Sequence, residues 1–401
     1  MSKKAYTFRL YPTKQQEQTL HTTLALCREL YNASLEERTE AYRMSKVRIT
    51  YNQQATQLPE MKEIRPEYND IHSQILQDTL RRVEKAMRAF FRRVKNGETP
   101  GYPRFKSFNR FDSFTYPQGG FSLTHDTRVY LSKIGSLKVR LHRPIEGKMK
   151  TCTIKKEGDQ WYIIFSCEVE TIEPLPENNE LVGLDMGVTH FAALSHGETI
   201  ENPRHFRRSQ KRLAKISQNL SRCKKGSHRR ARVKKQLAKT HRKIKNQRKD
   251  FLHKQSRKLV NTYGTIVFEK LHPSHMTHRP KPKKDETTGE YLPNGAAAKA
   301  GLNTSILDAG WSQFQQYCTY KAEDAGRAVL FVSPNYTSQI CSGCGQIRKK
   351  ELSERWHSCD CGAELDRDHN AAINILRLGS SQRGVNLRRS PLSLDMGYFT
   401  M

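Results

Sequence analysis

The sequence predicts a multidomain chain of mixed class, an α/β domain combined with α+β parts. Three observations point there. The 401 residues suffice for two or three separate cores. The apolar period is helical through most of the first hundred residues and then switches to two as far as residue 170. Beyond residue 180, short apolar strands alternate with helical stretches around a cluster of cysteines.

Residues 4–12, KAYTFRLYP, alternate as a strand and stop at Pro12. Thr13 to Gln16 reads as a capping box opening a helix with Leu20, Leu24, Cys27 and Tyr31 on one face. Leu76, Leu80, Val83, Met87, Phe90 and Val94 mark a second helix, ended by Asn96-Gly97, and the two should pack as a hairpin with a basic outer face. From Gly101 to Glu170 the pattern is β-rich: Leu137, Val139 and Leu141 alternate with cations, and Trp161–Glu170 reads as a more buried strand. PLPENNE (Pro174–Glu180) is a linker.

Between Arg204 and Lys258 there are 23 Lys/Arg and one acid, Asp250, with Leu213, Ile216 and Leu220 spaced for helix. A pair of basic helices joined at Lys224–Ser227 fits, a stretch whose self-repulsion suits it to nucleic-acid phosphate. YGTIVFEKL and RAVLFVS are strands on either side of a polar, Pro- and Gly-interrupted segment and the helix AGWSQFQQYCTYKAEDAG; HNAAINILRL is a last helix. The Ser/Arg-rich tail after Gly379 is expected to be disordered.

The balance of 70 Lys+Arg against 40 Asp+Glu leaves a net charge of +30, and the natural partner of such a field is a polyanion. A basic membrane surface or a ribosome-like scaffold fits the charge alone. No apolar run approaches the ~20 residues needed to span a bilayer. The opening MSKKAYTFRLYP lacks the apolar core of a signal peptide, which predicts a cytoplasmic protein. Nine cysteines there are not expected to form structural disulfides.

Three acids stand where strand ends or a helix start can hold them together. Asp185 ends the run LVGL, Gly187 permits the reversal into FAAL, Glu269 closes TIVF, and Asp368 lies in the first turn of the last helix. Carboxylates are hard ligands suited to Mg²⁺ or Mn²⁺, and two such ions can serve phosphodiester hydrolysis. Singly, each acid is as well explained as a turn residue, a solvated strand end or a cap. Their order around basic helices matches the RNase H-like arrangement of nucleases. The tetrapeptide LDMG recurs at Leu394–Gly397, but no strand precedes it, so Asp395 is read as solvated.

Cys341-x2-Cys344 is followed after fourteen residues by Cys359-x-Cys361. Thiolates at the first spacing form a knuckle able to share one tetrahedral, structural Zn²⁺. The second pair is tighter than usual, so His357 could displace one sulfur.

Together GLDMGV, VFEKL, LDAGWSQFQQYCTYKAEDAG, TSQICSGCG and LDRDHNAAINILRLG resemble the TnpB family, transposon-encoded proteins related to type V CRISPR effectors. YTFRLYPT, YNASLEER and GYPRFKS agree, and the resemblance covers residues 4–379. It implies an RNA-guided DNA endonuclease with one RuvC-like nuclease domain, using Mg²⁺ or Mn²⁺ to cut double-stranded DNA beside a short motif. A guide RNA derived from the transposon end would be its partner, with one or two copies of the chain on each RNA. The implied layout is a wedge-like β-barrel domain (1–12 and 96–175) carrying a helical recognition insert (13–95). A nuclease domain follows (176–335 and 363–380, basic insert at about 201–260), with a zinc-binding module (336–362) and a tail (381–401). Carried over residue by residue, the catalytic, metal-binding acids fall on Asp185, Glu269 and Asp368. The family places the third acid two residues before the Asn of Asn-Ala-Ala, here Asn370, which leaves Asp366 to cap the helix.

Two alternatives compete: a guide-RNA-bound repressor without cleavage, and an unguided RNase H-like resolvase or transposase. The first predicts a missing acid, and the second needs neither the long basic insert nor the cysteine knuckle. A ribosome-associated zinc-ribbon protein leaves the three acids unexplained.

Overall fold

A computed structural model of the chain describes residues 2–124, 127–170, 173–351 and 354–382. It divides into two compact units, residues 1–172 and 173–401.

In the first unit the order is β1 (Ser2–Tyr11), α1 (Lys14–Ser45), α2 (Tyr51–Thr56), α3 (Leu58–Ile64) and α4 (Ser73–Lys95). Six strands follow: β2 (Ser113–Tyr116), β3 (Phe121–Leu123), β4 (Arg128–Leu131), β5 (Gly135–Arg140), β6 (Lys148–Glu157) and β7 (Gln160–Val169). The seven strands form one antiparallel sheet in the order β2-β6-β7-β1-β5-β4-β3. Alternation decides which face is buried: Trp161, Ile163, Phe165 and Cys167 of β7 point into the core, their neighbours do not.

Among the described residues no ladder joins the edge strands β2 and β3, so the sheet is not closed into a barrel by hydrogen bonds. It curls instead. Phe121 of β3 meets Tyr116 of β2 at 6.4 Å between ring centroids and Phe165 of β7 at 6.2 Å, while the Tyr116 hydroxyl donates to the Ser132 carbonyl. The aromatic side chains bridge edges whose backbones do not pair.

The capping box forms as read, Thr13 Oγ1 accepting from the Gln16 N–H and the Gln16 side chain accepting from the Thr13 N–H. The α1–α4 pairing is more elaborate than a hairpin, because α2 and α3 lie between them in a stretch with no apolar period of its own. Arg38 of α1 is buried against Glu84 of α4 (2.6 Å) and the Gln54 side chain of α2 (2.8 Å). The apolar stripe of α4 outlasts its cover: Leu76, Leu80 and Val83 are buried, whereas Val94 is 50% exposed.

The second unit is built on β8 (Leu181–Met186), β9 (His190–Leu194) and β10 (Thr199–Glu201). Next come the basic helices α5 (His205–Arg222) and α6 (His228–Thr262), then β11 (Thr265–Glu269), α7 (Pro273–Met276), β12 (Lys283–Lys284) and β13 (Tyr291–Leu292). Helices α8 (Ala296–Ala309) and α9 (Trp311–Asp324), β14 (Ala328–Val332), β15 (Trp356–Ser358), β16 (Glu364–Asp366) and α10 (Arg367–Gln382) complete it. Its sheet runs β10-β9-β8-β11-β14, with β8, β11 and β14 parallel and β9 and β10 antiparallel. All five residues of β11 are buried, as expected of a central strand covered on both faces.

One face carries α10, which approaches so closely that a Cβ on Gly183 would stand 2.3 Å from the Ala372 carbonyl oxygen. On the other, Phe191, Phe268 and Phe314 stack edge to face at 4.9 and 5.9 Å, beneath Leu252 and Leu259 of α6. Helices α5 and α6 turn at Lys224–Ser227 as read. Leu213, Ile216 and Ile244 are buried, while Leu220 is only half-buried. The start of α5 is anchored at a distance, since the Asp308 carboxylate accepts from the N–H groups of Phe206 and Arg207 and pairs with Arg248 at 2.8 Å.

Two expectations need correction. The helix read from Ala309 onward is preceded by another, α8, and Gly310 at φ +73° breaks the chain between them. The final helix does not stop before the expected tail at 381 but runs to Gln382, with Ser380 buried and its hydroxyl donating to the Leu376 carbonyl. The second LDMG copy and Asp395 lie outside the described residues.

Candidate active site and cysteine cluster

Strands β8 and β11 run parallel with Leu184 opposite Phe268, so Asp185 and Glu269 leave the sheet side by side from neighbouring strand ends. Asp368 comes from the first turn of α10, with Oδ2 3.9 Å from where a Cβ on Gly187 would stand. Asp366, two residues earlier, caps that helix. Its Oδ1 accepts from the N–H of Asp368 (2.8 Å) and of His369 (3.3 Å), as a helix-capping carboxylate does.

The electrostatics register the convergence. Burial pushes Asp185 well above the usual carboxylate range, and the charges of Glu269 and Asp368 push it further. Glu269 is raised by burial, opposed by a hydrogen bond from the Thr337 hydroxyl. Asp368 is raised by burial and by Asp366, against the pull of Arg355 and Arg367. A site in which burial disfavours three charged carboxylates, two of them also acting on Asp185, is one that a divalent cation would relieve. The three acids do not each place an oxygen within 4.8 Å of the other two: among the described residues, only the cysteines place three or more ligand atoms that close together.

Several residues at the site carry no local signal in the sequence. Thr337 Oγ1 donates to Glu269 Oε1 at 2.5 Å, and Gln315 Nε2 donates to the Glu269 carbonyl at 3.1 Å. Asn370 and Asn374 of α10 donate to backbone carbonyls of the segment leading into the knuckle. Their order in the chain, TSQIC and DHNAAIN, is visible; their meeting is not.

The four sulfurs of Cys341, Cys344, Cys359 and Cys361 do converge, with Cys341–Cys361 and Cys344–Cys359 each at 3.6 Å. Tetrahedral coordination at a Zn–S distance of ~2.3 Å places sulfurs about 3.8 Å apart, so the donor set fits that ion. The tight Cys359-x-Cys361 pair brings both its thiols to the group from within one turn, closed by the Gly362 N–H to the Cys359 carbonyl. The N–H of Cys361 and the neighbouring thiols pull the Cys359 thiol down to about 6. His357 stands outside this group, buried, with Nδ1 against Lys350 Nζ, and displaces no sulfur.

Comparison with known proteins places the chain among relatives. The family OrfB_IS605, described as a probable transposase, matches residues 164–279, and the Cas12f1-like TNB domain matches residues 311–375. A protein of Escherichia coli K12, provisionally named RNA-guided DNA endonuclease InsQ, is 33% identical over 402 residues, 97% of this chain and 98% of its own. The chain belongs to the TnpB (IS605 OrfB) family.

A second relative, from Streptomyces pristinaespiralis and provisionally named RNA-guided DNA endonuclease, is 34% identical over 94% of this chain and 89% of its own. The cryo-EM structure of the Cas12f1–sgRNA–target DNA complex shares the fold, with a TM-score of 0.56 at 15% identity over 90% of this chain and 83% of that one. A helix-turn-helix family also matches residues 1–46 of this TnpB-family chain, but the structure there is one strand and one unbroken helix. No helix among the described residues is long and apolar enough to cross a membrane.

Proposed function

We propose that this chain is an RNA-guided, metal-dependent endonuclease that cleaves double-stranded DNA beside a short transposon-associated motif. Its nuclease unit is RNase H-like, of the RuvC type, and Asp185, Glu269 and Asp368 are its metal-binding acids. The observation that carries the reading is the meeting of these three carboxylates at two adjacent parallel strand ends and one helix start. The names of the two full-length relatives support it.

Bound divalent ions (Mg²⁺ or Mn²⁺) would activate water and stabilise the leaving oxygen in phosphodiester hydrolysis. The chain's own part is to hold the acids. The charges of both other acids act on Asp185, and Asp366 leaves Asp368 free by capping the helix itself. The cationic α5–α6 pair grips backbone phosphate, while a guide RNA from the transposon end supplies sequence by base pairing. The cysteine cluster holds a structural Zn²⁺: four thiolates leave no open position for chemistry.

The test is cleavage of a plasmid bearing a matched target by the protein purified with its RNA. Asp185→Ala should abolish cutting and retain the RNA. Undiminished cutting by that variant would refute the assignment.

A further inference from the structure

Glu269 is the end of a strand, yet its carboxylate is held by a residue 68 positions later. Thr337, 3% exposed, donates its hydroxyl proton to Glu269 Oε1 at 2.5 Å; Glu269 is itself 7% exposed. The other acceptor within reach, the Pro334 carbonyl, is at 3.2 Å. A hydroxyl has one proton, and a carboxylate at the shorter distance is the stronger acceptor. The bond restricts the rotation of a side chain with three torsions and leaves Oε2 available.

Thr337 is itself held in place by the helix that carries Asp368. Asn374 Nδ2 donates to the Thr337 carbonyl (2.9 Å) and the Ile340 carbonyl (2.7 Å), and Asn370 Nδ2 donates to the Ile340 carbonyl (2.8 Å). Asn370 Oδ1 accepts from the Ser342 N–H at 2.9 Å. All three side chains are buried. Residues 337–341 therefore form a strut pinned at two points to α10, with Glu269 at one end and Cys341 at the other.

We propose that Thr337 is a positioning residue: its hydroxyl orients the Glu269 carboxylate for cation binding, from a seat fixed by Asn370 and Asn374. This rests on the reading of Asp185, Glu269 and Asp368 as metal-binding acids. Hydrogen-bonded partners of metal-binding side chains typically account for 10–100-fold in metal affinity or activity. A merely structural Thr337 would fill space, and valine fills the same space.

The experiment compares wild type, Thr337→Val, Thr337→Ser and Asp185→Ala as protein–RNA complexes. Mn²⁺ binding is followed by the electron paramagnetic resonance of the free ion, beside the Mg²⁺ dependence of cleavage. Thr337→Val should weaken Mn²⁺ binding and raise the Mg²⁺ needed for half-maximal cleavage, each by roughly 10–100-fold. Thr337→Ser, which keeps the hydroxyl, should restore both. Wild-type Mn²⁺ binding by Thr337→Val, or a Thr337→Ser as defective as Thr337→Val, overturns the proposal. If Asp185→Ala abolishes cleavage and Mn²⁺ binding while Thr337→Val changes neither, Thr337 alone has been misassigned. If Asp185→Ala changes neither, the reading of the acids has failed and the role of Thr337 with it.

Discussion

Replacing Gly183 by alanine tests how closely the site depends on packing beneath it. The added methyl carbon would stand 2.3 Å from the Ala372 carbonyl oxygen and 2.7 Å from the Leu376 nitrogen. Both are backbone atoms of α10, so no flexible side chain can yield. Ordinary contact begins at 3.4 Å, so the helix must retreat by about 1.1 Å. Overpacking of this kind costs about 1–3 kcal/mol, which lowers the melting temperature of a unit this size by roughly 3–10 °C. The functional effect should be larger. Asp368 sits one turn before Ala372, and a displacement of ~1 Å at a reacting geometry is worth about 10²-fold in rate. The assay pairs thermal denaturation with cleavage rate at saturating Mg²⁺. Gly101→Ala, where an added Cβ meets nothing within 4 Å, is the control and should match wild type in both. A Gly183→Ala protein that melts and cuts like that control would show that α10 is not seated on β8 as described.

Two further predictions address other parts of the second unit. Cys361→Ser removes one thiol from an exposed position, so no core is disturbed, and zinc content should drop from one per chain to a small fraction. Strands β15 and β16 pair over only three residues each, so their amide exchange should accelerate; full zinc retention would exclude Cys361 as a ligand. Lys321 is buried, donating to the His253 carbonyl and Ser256 Oγ at 2.7 Å, and burial holds it down at about 8 from an ordinary 10.5. Between those values the unfolded chain binds the extra proton, so stability rises with pH across that window. Wild type should therefore gain on Lys321→Met between pH 7.5 and 10 in urea denaturation midpoints, and parallel profiles would contradict the buried charge.

The elements legible in the sequence are those with short-range causes. The Thr13 capping box, the period-two burial of β7 and the Lys224–Ser227 turn each depend on residues within one or two turns of each other. Helices α2, α3 and α8 escaped because they bury few residues of their own and present no stripe. The α4 stripe misled in the opposite direction, since spacing shows what a helix could bury and not where its neighbour ends.

At the candidate site the same division holds. Asp185, Glu269 and Asp368 could be singled out from strand ends and a helix start, and the four cysteines from thiol spacing. What places Asp185 beside Glu269 is a parallel register across eighty-odd intervening residues, β9 and β10 as well as the two basic helices, and nothing local encodes that. Gly183 reads as one more glycine until α10 lies against it, and Thr337 as a loop hydroxyl until Glu269 accepts its proton. Periodicity, capping and ligand spacing act over a few residues, so the sequence alone determines them. Close approach and hydrogen bonds between distant segments arise only when the sheet register and helix seating are set, and those the tertiary structure decided.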